Sequence, residues 1–407
     1  MELNDHFISY IIKKHLGIKK LEKDKYGEVF TPESLIHTIL SHFPSNVWSN
    51  PNLKWLEPTA GIGNFMMIIY LNLMKNLTIW EPNEDIRSKH IIQNMLFMVE
   101  TNETNVDICK SIFGENANIL HEDFLKSNVF DTQFDIIIGN PPFQDDIEGK
   151  KRSGNKNKLY ERILTKCLGI LKSDGYLSFI TPDNLFSGGS KIYLELIQNN
   201  VLMISFEKTI QDFFPKIQQI MCYFIVKKGS TKMPTIIIGN DGTRFQCLLE
   251  NRPVNPVRDW NVITEQLVHT LIRNTKNNGV YNRGKPLHTY NTSNSDIEND
   301  TTYSLIYKPN EKLVVNDKKI AVGINEKKIV LFLISPNLDF ECDFKGIYGV
   351  GPNTFYYPIQ NEEEGILLET FFKSRVYKTL MMSTKTTRQF IKIACLQYLN
   401  INKIIYK

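Results

Sequence analysis

The 407-residue chain has six cysteines, at 109, 167, 222, 247, 342 and 395, and no Cys-x-x-Cys pair. With eight dispersed histidines, these give neither zinc-site spacing nor a disulfide framework, so no metal is expected. The longest apolar runs, such as 65–71 and 220–226, are too short to cross a bilayer, and no membrane partner is expected. The opening Met-Glu-Leu-Asn-Asp-His lacks the basic and apolar segments of an export signal. A Gly-x-x-x-x-Gly-Lys-Ser/Thr loop for a triphosphate is also missing. What remains is an ordinary globular composition, 42% apolar and 23% charged, suited to a reducing, cytoplasmic compartment.

Charge is scarce as a total, only +4, but it is unevenly placed. Residues 240–407 hold 22 basic against 17 acidic residues, and from Thr370 onward there are eight basic and no acidic ones. A near-neutral body with a basic end favours a polyanionic partner.

Thr31-Pro32 reads as an N-cap with proline at the first helical position, ahead of an amphipathic helix over 33–43. Buried strands are expected before Glu57, over 77–83, 134–140 and 176–182, and over 202–207 and 220–228, with a helix over 158–172. This alternation predicts an α/β fold, a Rossmann-like parallel sheet with helices on both faces, whose ligands sit at the carboxyl ends of its strands. The pattern changes near 229–235, where a mixed α+β domain begins, with short strands over 320–324 and 328–334. The expected divisions are 1–25, a short helical extension; 26–235, a sheet domain; and 236–407.

Leu56-Glu57-Pro58-Thr59-Ala60-Gly61-Ile62-Gly63 ends a strand in a glycine turn, which lets backbone approach a ligand and opens a helix. Glu81, read as the end of the next strand, can accept hydrogen bonds from ribose hydroxyls. Asp123 offers an acceptor for an exocyclic amine beside Phe124, a ring suited to adenine. In order and at strand ends, these elements suit an adenosine cofactor without phosphates, and S-adenosylmethionine fits.

Asn140-Pro141-Pro142-Phe143 directly follows the strand FDIIIG. The amino nitrogen of adenine is a poor nucleophile, because its lone pair is delocalised into the ring. Two fixed acceptors, the Asn140 side-chain oxygen and the Pro141 carbonyl, would draw it toward tetrahedral geometry and stabilise the cation formed on methyl transfer. The prolines fix φ and lack N–H donors. Phe143 would stack on the base, and Phe214 of Phe213-Phe214-Pro215 is the candidate for its other face.

The ordered set Tyr26–Pro32, Leu56–Gly63, Glu81, Asp123-Phe124 and Asn140–Phe143 resembles the S-adenosylmethionine-dependent DNA adenine-N6 methyltransferases of restriction–modification systems. Its motif order is similar to the gamma group, with TaqI-type enzymes nearest in layout. The resemblance spans about residues 22–230. It implies that Phe30, Thr31 and Pro32 contact the methionine part of the cofactor, and that Glu57 with the turn backbone holds it. It further implies that Glu81 holds the ribose and Asp123 with Phe124 the adenine. Residues 26–235 become the methyltransferase domain and 236–407 a target-recognition domain, acting on double-stranded DNA in nucleoid or virus. A separate cognate restriction endonuclease is a candidate partner. Lys150, Lys151, Arg152, Lys156 and Lys158, just past the tetrad, suit phosphate contacts, as do Lys385 and Arg388 near the end. The tetrad also occurs in ribosomal RNA and protein-glutamine methyltransferases, and a non-catalytic DNA-binding specificity subunit is a further alternative.

Overall fold

The computed structural model describes residues 31–126, 132–143, 159–214, 217, 219–274, 282–283, 303–315, 321–332, 334–335, 337–351, 353–385, 393–400 and 402–405. The chain forms two compact units, one of Met1–Leu185 with Lys191–Leu249, the other of Phe186–Ser190 with Glu250–Lys407.

The first unit has strands β1 (Trp55–Glu57), β2 (Leu96–Glu100), β3 (Asn118–His121), β4 (Phe134–Gly139) and β5 (Leu171–Pro182). Four more follow: β6 (Asn200–Ser205), β7 (Met221–Lys227), β8 (Thr235–Ile238) and β9 (Arg244–Cys247). They make one sheet in the order β3-β2-β1-β4-β5-β7-β6-β8-β9. Neighbours from β3 through β5 pair in parallel, and β7 runs antiparallel between β5 and β6. The loop 229–234 leads into β8, so the sheet continues beyond it.

Helices α1 (Glu33–Leu40), α2 (Asn64–Asn76), α3 (Glu84–His90), α4 (Glu103–Phe113), α5 (Leu159–Ile170), α6 (Lys191–Ile197) and α7 (Lys208–Asp212) belong to this unit. From β1 the chain steps through α2 to β2 in one direction, and from β4 through α5 to β5 in the other. Right-handed crossovers put α2 and α5 on opposite faces, as the α/β reading expects. β1 and β4 lie side by side where the order reverses, and their carboxyl ends open the crevice there. Ile136 and Ile138 of β4 pack with residues of α1, α2 and α4 in one buried cluster. This is the near-continuous apolar character of strands covered on both faces.

Two sequence expectations are corrected. Residues 77–83 are not a strand; they turn out of α2, with Ile79 96% exposed, and α3 intervenes before β2. A central strand must bury both faces, and this run does not. Thr31 is not the α1 cap; Pro32 takes that place, with its carbonyl accepting from Leu35 and Ile36, which frees the threonine side chain for another partner. Asparagine does the capping elsewhere: Asn83 accepts from Ile86 N–H at α3, and Asn102 from Thr104 N–H at α4.

The second unit contains β10 (Asn282–Arg283), β11 (Tyr303–Lys308), β12 (Glu311–Val315), β13 (Lys328–Phe332), β14 (Phe340–Asp343), β15 (Gly349–Val350) and β16 (Thr354–Pro358). They form a four-stranded sheet, β10-β16-β13-β14, and a three-stranded one, β12-β11-β15. The strand read over 328–334 is β13, whereas 321–325 is a turn. Helices α8 (Val262–Leu271), α9 (Glu362–Lys373), α10 (Arg375–Ser383), α11 (Ile393–Gln397) and α12 (Asn402–Ile405) complete it, and Leu368, Phe372, Tyr377 and Leu380 join Ile329 and Leu331 in its core. Lys328 and Asp343 form a fully buried ion pair at 2.8 Å, and Asp343 also accepts from Ile347 and Tyr348 N–H.

Candidate active site

β1 ends in Glu57, and the turn behind it enters α2 through two left-handed glycines, Gly61 (φ +55°) and Gly63 (φ +81°). A side chain on Gly63 would press on Phe113 and Cys109, whereas one on Gly61 would meet nothing within 4 Å. The turn is anchored from β2: Gly61 N–H donates to Glu100 Oε2 at 2.6 Å, and Ala60 N–H to the Val99 carbonyl. Glu100 Oε1 accepts from the N–H groups of Thr101 and Asn102 at 2.9 and 2.8 Å. A carboxylate drawing three backbone donors together fixes both strand ends.

Glu57 is buried, with Pro58 and Ala60, while Thr59 is half-buried. Burial pushes the Glu57 carboxyl well above the glutamate range, the Glu100 charge adds to that, and a Met66 backbone hydrogen bond opposes it. Among the described residues, Glu57 Oε2, Thr59 Oγ1 and Asn64 Oδ1 are buried without hydrogen-bond partners. Three such atoms around one turn are acceptors waiting for a donor.

Asn140 follows β4 beside this turn; an atom built on Gly139 would lie 3.7 Å from both Glu57 Cγ and Pro58 Cδ. Asn140 Nδ2 donates to Thr31 Oγ1 at 3.3 Å, and Asn64 Nδ2 to the Thr31 carbonyl at 3.2 Å. Pro141 is buried, Pro142 exposed and Phe143 half-buried. The Phe143 ring meets Tyr160 edge-on at 6.3 Å. Tyr160 donates to Asn184 Oδ1 at 2.9 Å, and burial raises its hydroxyl pKa. The structure thus brings together Thr31, Glu57, the glycine turn and Asn140–Phe143, which lie up to 112 positions apart in sequence (31 to 143).

Other expected residues fall elsewhere. Glu81 sits in the turn after α2, accepting from Asn83 N–H, rather than at a strand end. Asp123 keeps a half-exposed carboxylate that accepts from Leu125 N–H; Phe124 is buried, with the Lys166 ammonium 4.8 Å from its ring centre. Phe214 is only 1% exposed, inside the core; a ring enclosed on both faces has none for a base. Phe213, half-buried against the same cluster, keeps an accessible face. Lys385 is likewise buried, where desolvation lowers its ammonium pKa and Arg258 adds to this; a buried ammonium does not reach phosphate. Phe30, Pro215, Lys150, Lys151, Arg152, Lys156, Lys158 and Arg388 lie outside the described residues.

The strand-end acid that the sequence reading missed is Glu100. Leu96–Glu100 and 77–81 are both apolar runs ending in an acid and both are followed by an asparagine cap and a helix, Asn102 with α4 and Asn83 with α3, so local sequence does not separate them. Among the described residues there is no metal-binding cluster of His, Cys, Asp or Glu and no helix long and apolar enough to cross a membrane.

Residues 63–217 match the family described as Eco57I restriction-modification methylase. An uncharacterized adenine-specific methylase of Mycoplasma pneumoniae is 26% identical over 306 residues, covering 54% of this chain and 72% of that protein. The modification methylase CviBIII of Paramecium bursaria Chlorella virus NC1A is 26% identical over 221 residues, covering 52% of each. These alignments therefore span between about half and three quarters of the relatives' own lengths. Among solved structures, a nuclease-deletion mutant of the Type ISP restriction-modification enzyme LlaGI, in complex with a DNA substrate mimic, aligns over 97% of this chain and 48% of its own. It does so with a TM-score of 0.58 at 12% identity, a likeness of fold.

Proposed function

From the match of residues 63–217 to the Eco57I restriction-modification methylase family and the similarity to an adenine-specific methylase, we propose what the protein does. It transfers a methyl group from S-adenosylmethionine to the N6 amino nitrogen of an adenine swung out of double-stranded DNA. It is the modification part of a restriction–modification system, with a separate endonuclease as partner. The observation that carries this reading is Asn140-Pro141 at the end of β4, beside the glycine turn and the unsatisfied acceptors of Glu57, Thr59 and Asn64.

Those acceptors fit the cofactor. Each buried unpaired group costs about 1–3 kcal/mol, which a ligand carrying an ammonium and hydroxyl groups would recover. Gly61 leaves open space where a side chain would block its approach. S-adenosylmethionine bound there supplies an electrophilic methyl group on a sulfonium. Glu57 faces the cationic end, the turn backbone lines it, and Asp123 accepts from the adenine amino group. Glu100, in the role expected of Glu81, accepts from the ribose.

The chain's own residues then act on the base. Asn140 Oδ1 and the Pro141 carbonyl accept the two amino hydrogens, localising the lone pair and stabilising the developing cation. A proton leaves after the methyl group arrives, so the site needs no strong base. Flipping the adenine costs a few kcal/mol. Stacking on Phe143, and on Phe213 from the other side, returns about 1–3 kcal/mol per ring and offsets it. The second unit reads the target sequence.

The test is incubation of the protein with methyl-labelled S-adenosylmethionine and unmethylated duplex DNA, followed by nucleoside analysis. Label in N6-methyladenine is expected; label only in RNA or protein, or none, refutes the reading. Asn140→Ala should abolish transfer while cofactor binding persists, and normal turnover by that variant would remove the active-site assignment.

A further inference from the structure

We infer that Thr31 is the positioning residue that sets which end of the Asn140 amide faces the target base, an assignment that rests on the function proposed above. An asparagine amide has an acceptor end and a donor end of nearly equal size. Turned the wrong way, Asn140 would point N–H groups at an amino group that is itself a donor. The productive orientation needs an acceptor for Nδ2 so that Oδ1 is left for the base, and Thr31 Oγ1 accepts from Nδ2 at 3.3 Å.

That oxygen is held in place from both sides. Thr31 is 5% exposed, and its carbonyl accepts from Asn64 Nδ2 at 3.2 Å. Asn64 is the first residue of α2, directly behind Gly63, so the glycine turn and the threonine are tied. On the other side, Pro32 has a ring-fixed φ of −64° and caps α1, whose Leu35, Ile36 and Ile39 are packed in the core. The threonine therefore joins two rigid helix starts to the one side chain whose rotation decides the chemistry. A hydroxyl that merely filled space could be replaced by a methyl group, whereas orienting the amide requires the oxygen.

Thr31→Val keeps the shape and removes the acceptor, while Thr31→Ser keeps the acceptor. In the full-length chain the valine variant should show little change in KM for DNA and lose less in S-adenosylmethionine affinity, through the contact of Thr31 with the methionine end, than in kcat. Its kcat should fall about 10- to 100-fold, as expected for the loss of a buried hydrogen bond that orients the reacting side chain. The serine variant should stay close to the natural rate. With asparagine labelled by 15N, the side-chain amide pair lost in Asn140→Ala should shift in Thr31→Val and return in Thr31→Ser. An unchanged kcat in the valine variant, a cofactor affinity that falls as far as kcat, or a serine variant as poor as valine overturns the inference. If the natural protein methylates nothing, the function reading fails, and the amide resonances alone decide: no shift in Thr31→Val rejects the role of Thr31. Should the valine variant not fold, Thr31→Ala carries the same measurements.

Discussion

Alanine at Gly61 and at Gly63, one at a time, should separate the two jobs of the turn. Both positions are left-handed, at φ +55° and +81°, so each substitution costs about 1–2 kcal/mol from backbone strain. The surroundings differ. At Gly61 the new methyl group meets nothing within 4 Å. At Gly63 it lies 3.2 Å from Phe113 Cε2, 3.3 Å from Cys109 Sγ and 3.6 Å from Met98 Sδ. Phe113 and Cys109 belong to α4 and the same buried cluster, which cannot easily yield, so overpacking adds about 1–3 kcal/mol. At about 2–4 °C per kcal/mol for a unit of this size, Gly63→Ala should melt several degrees below Gly61→Ala. Cofactor affinity should run the other way. The Gly61 methyl group projects into the space the ligand would use, and so weakens S-adenosylmethionine binding more than the Gly63 change does. Thermal melts followed by circular dichroism, with calorimetric titration well below the transitions, give both numbers. A Gly61 variant less stable than the Gly63 variant, or one that keeps full affinity while Gly63→Ala loses it, would show that the two glycines do not divide the work in this way.

Glu57 gives a proton-linked prediction. Its carboxyl is raised by burial and by the Glu100 charge, so the stability it contributes is complete below the ordinary value of 4.5. That stability is lost as pH rises through the folded value. A cation beside it favours the charged form, so S-adenosylmethionine binding should release a proton at any pH where the free protein holds that carboxyl protonated. Titrations in buffers of different ionisation enthalpy should detect this, and Glu57→Gln should abolish it; equal proton release by that variant would assign the effect elsewhere. Glu100→Gln should weaken S-adenosylmethionine binding severalfold or more by disturbing three charge-assisted hydrogen bonds and the proposed ribose contact, whereas Glu81→Gln should leave it unchanged. Equilibrium dialysis distinguishes them, and an equal loss in both variants would contradict the placement of Glu100.

Much of the site was legible because its chemistry is local. Asn140–Phe143 is contiguous and follows an apolar run that has to be a buried strand; the glycine turn announces itself by two positions needing left-handed backbone. Glu81 misled because an apolar run ending in an acid looks alike in a strand and in a turn. Whether such a run is covered on both faces depends on α3, which sequence spacing does not reveal. The Phe213-Phe214 pair failed for a similar reason: which ring enters the core is set by the direction of the turn after α7, not by residue type.

The alternation of strands and helices, the glycine turn and the acceptor tetrad are written in the chain, because each follows from steric and hydrogen-bonding rules acting within a few residues. Which acid stands at the end of β2, that Lys385 is buried, and that Thr31 meets Asn140 rather than capping α1 emerge only in the folded molecule. These depend on packing between elements far apart in the chain, and which of several similar side chains is covered or paired is settled only when the elements pack.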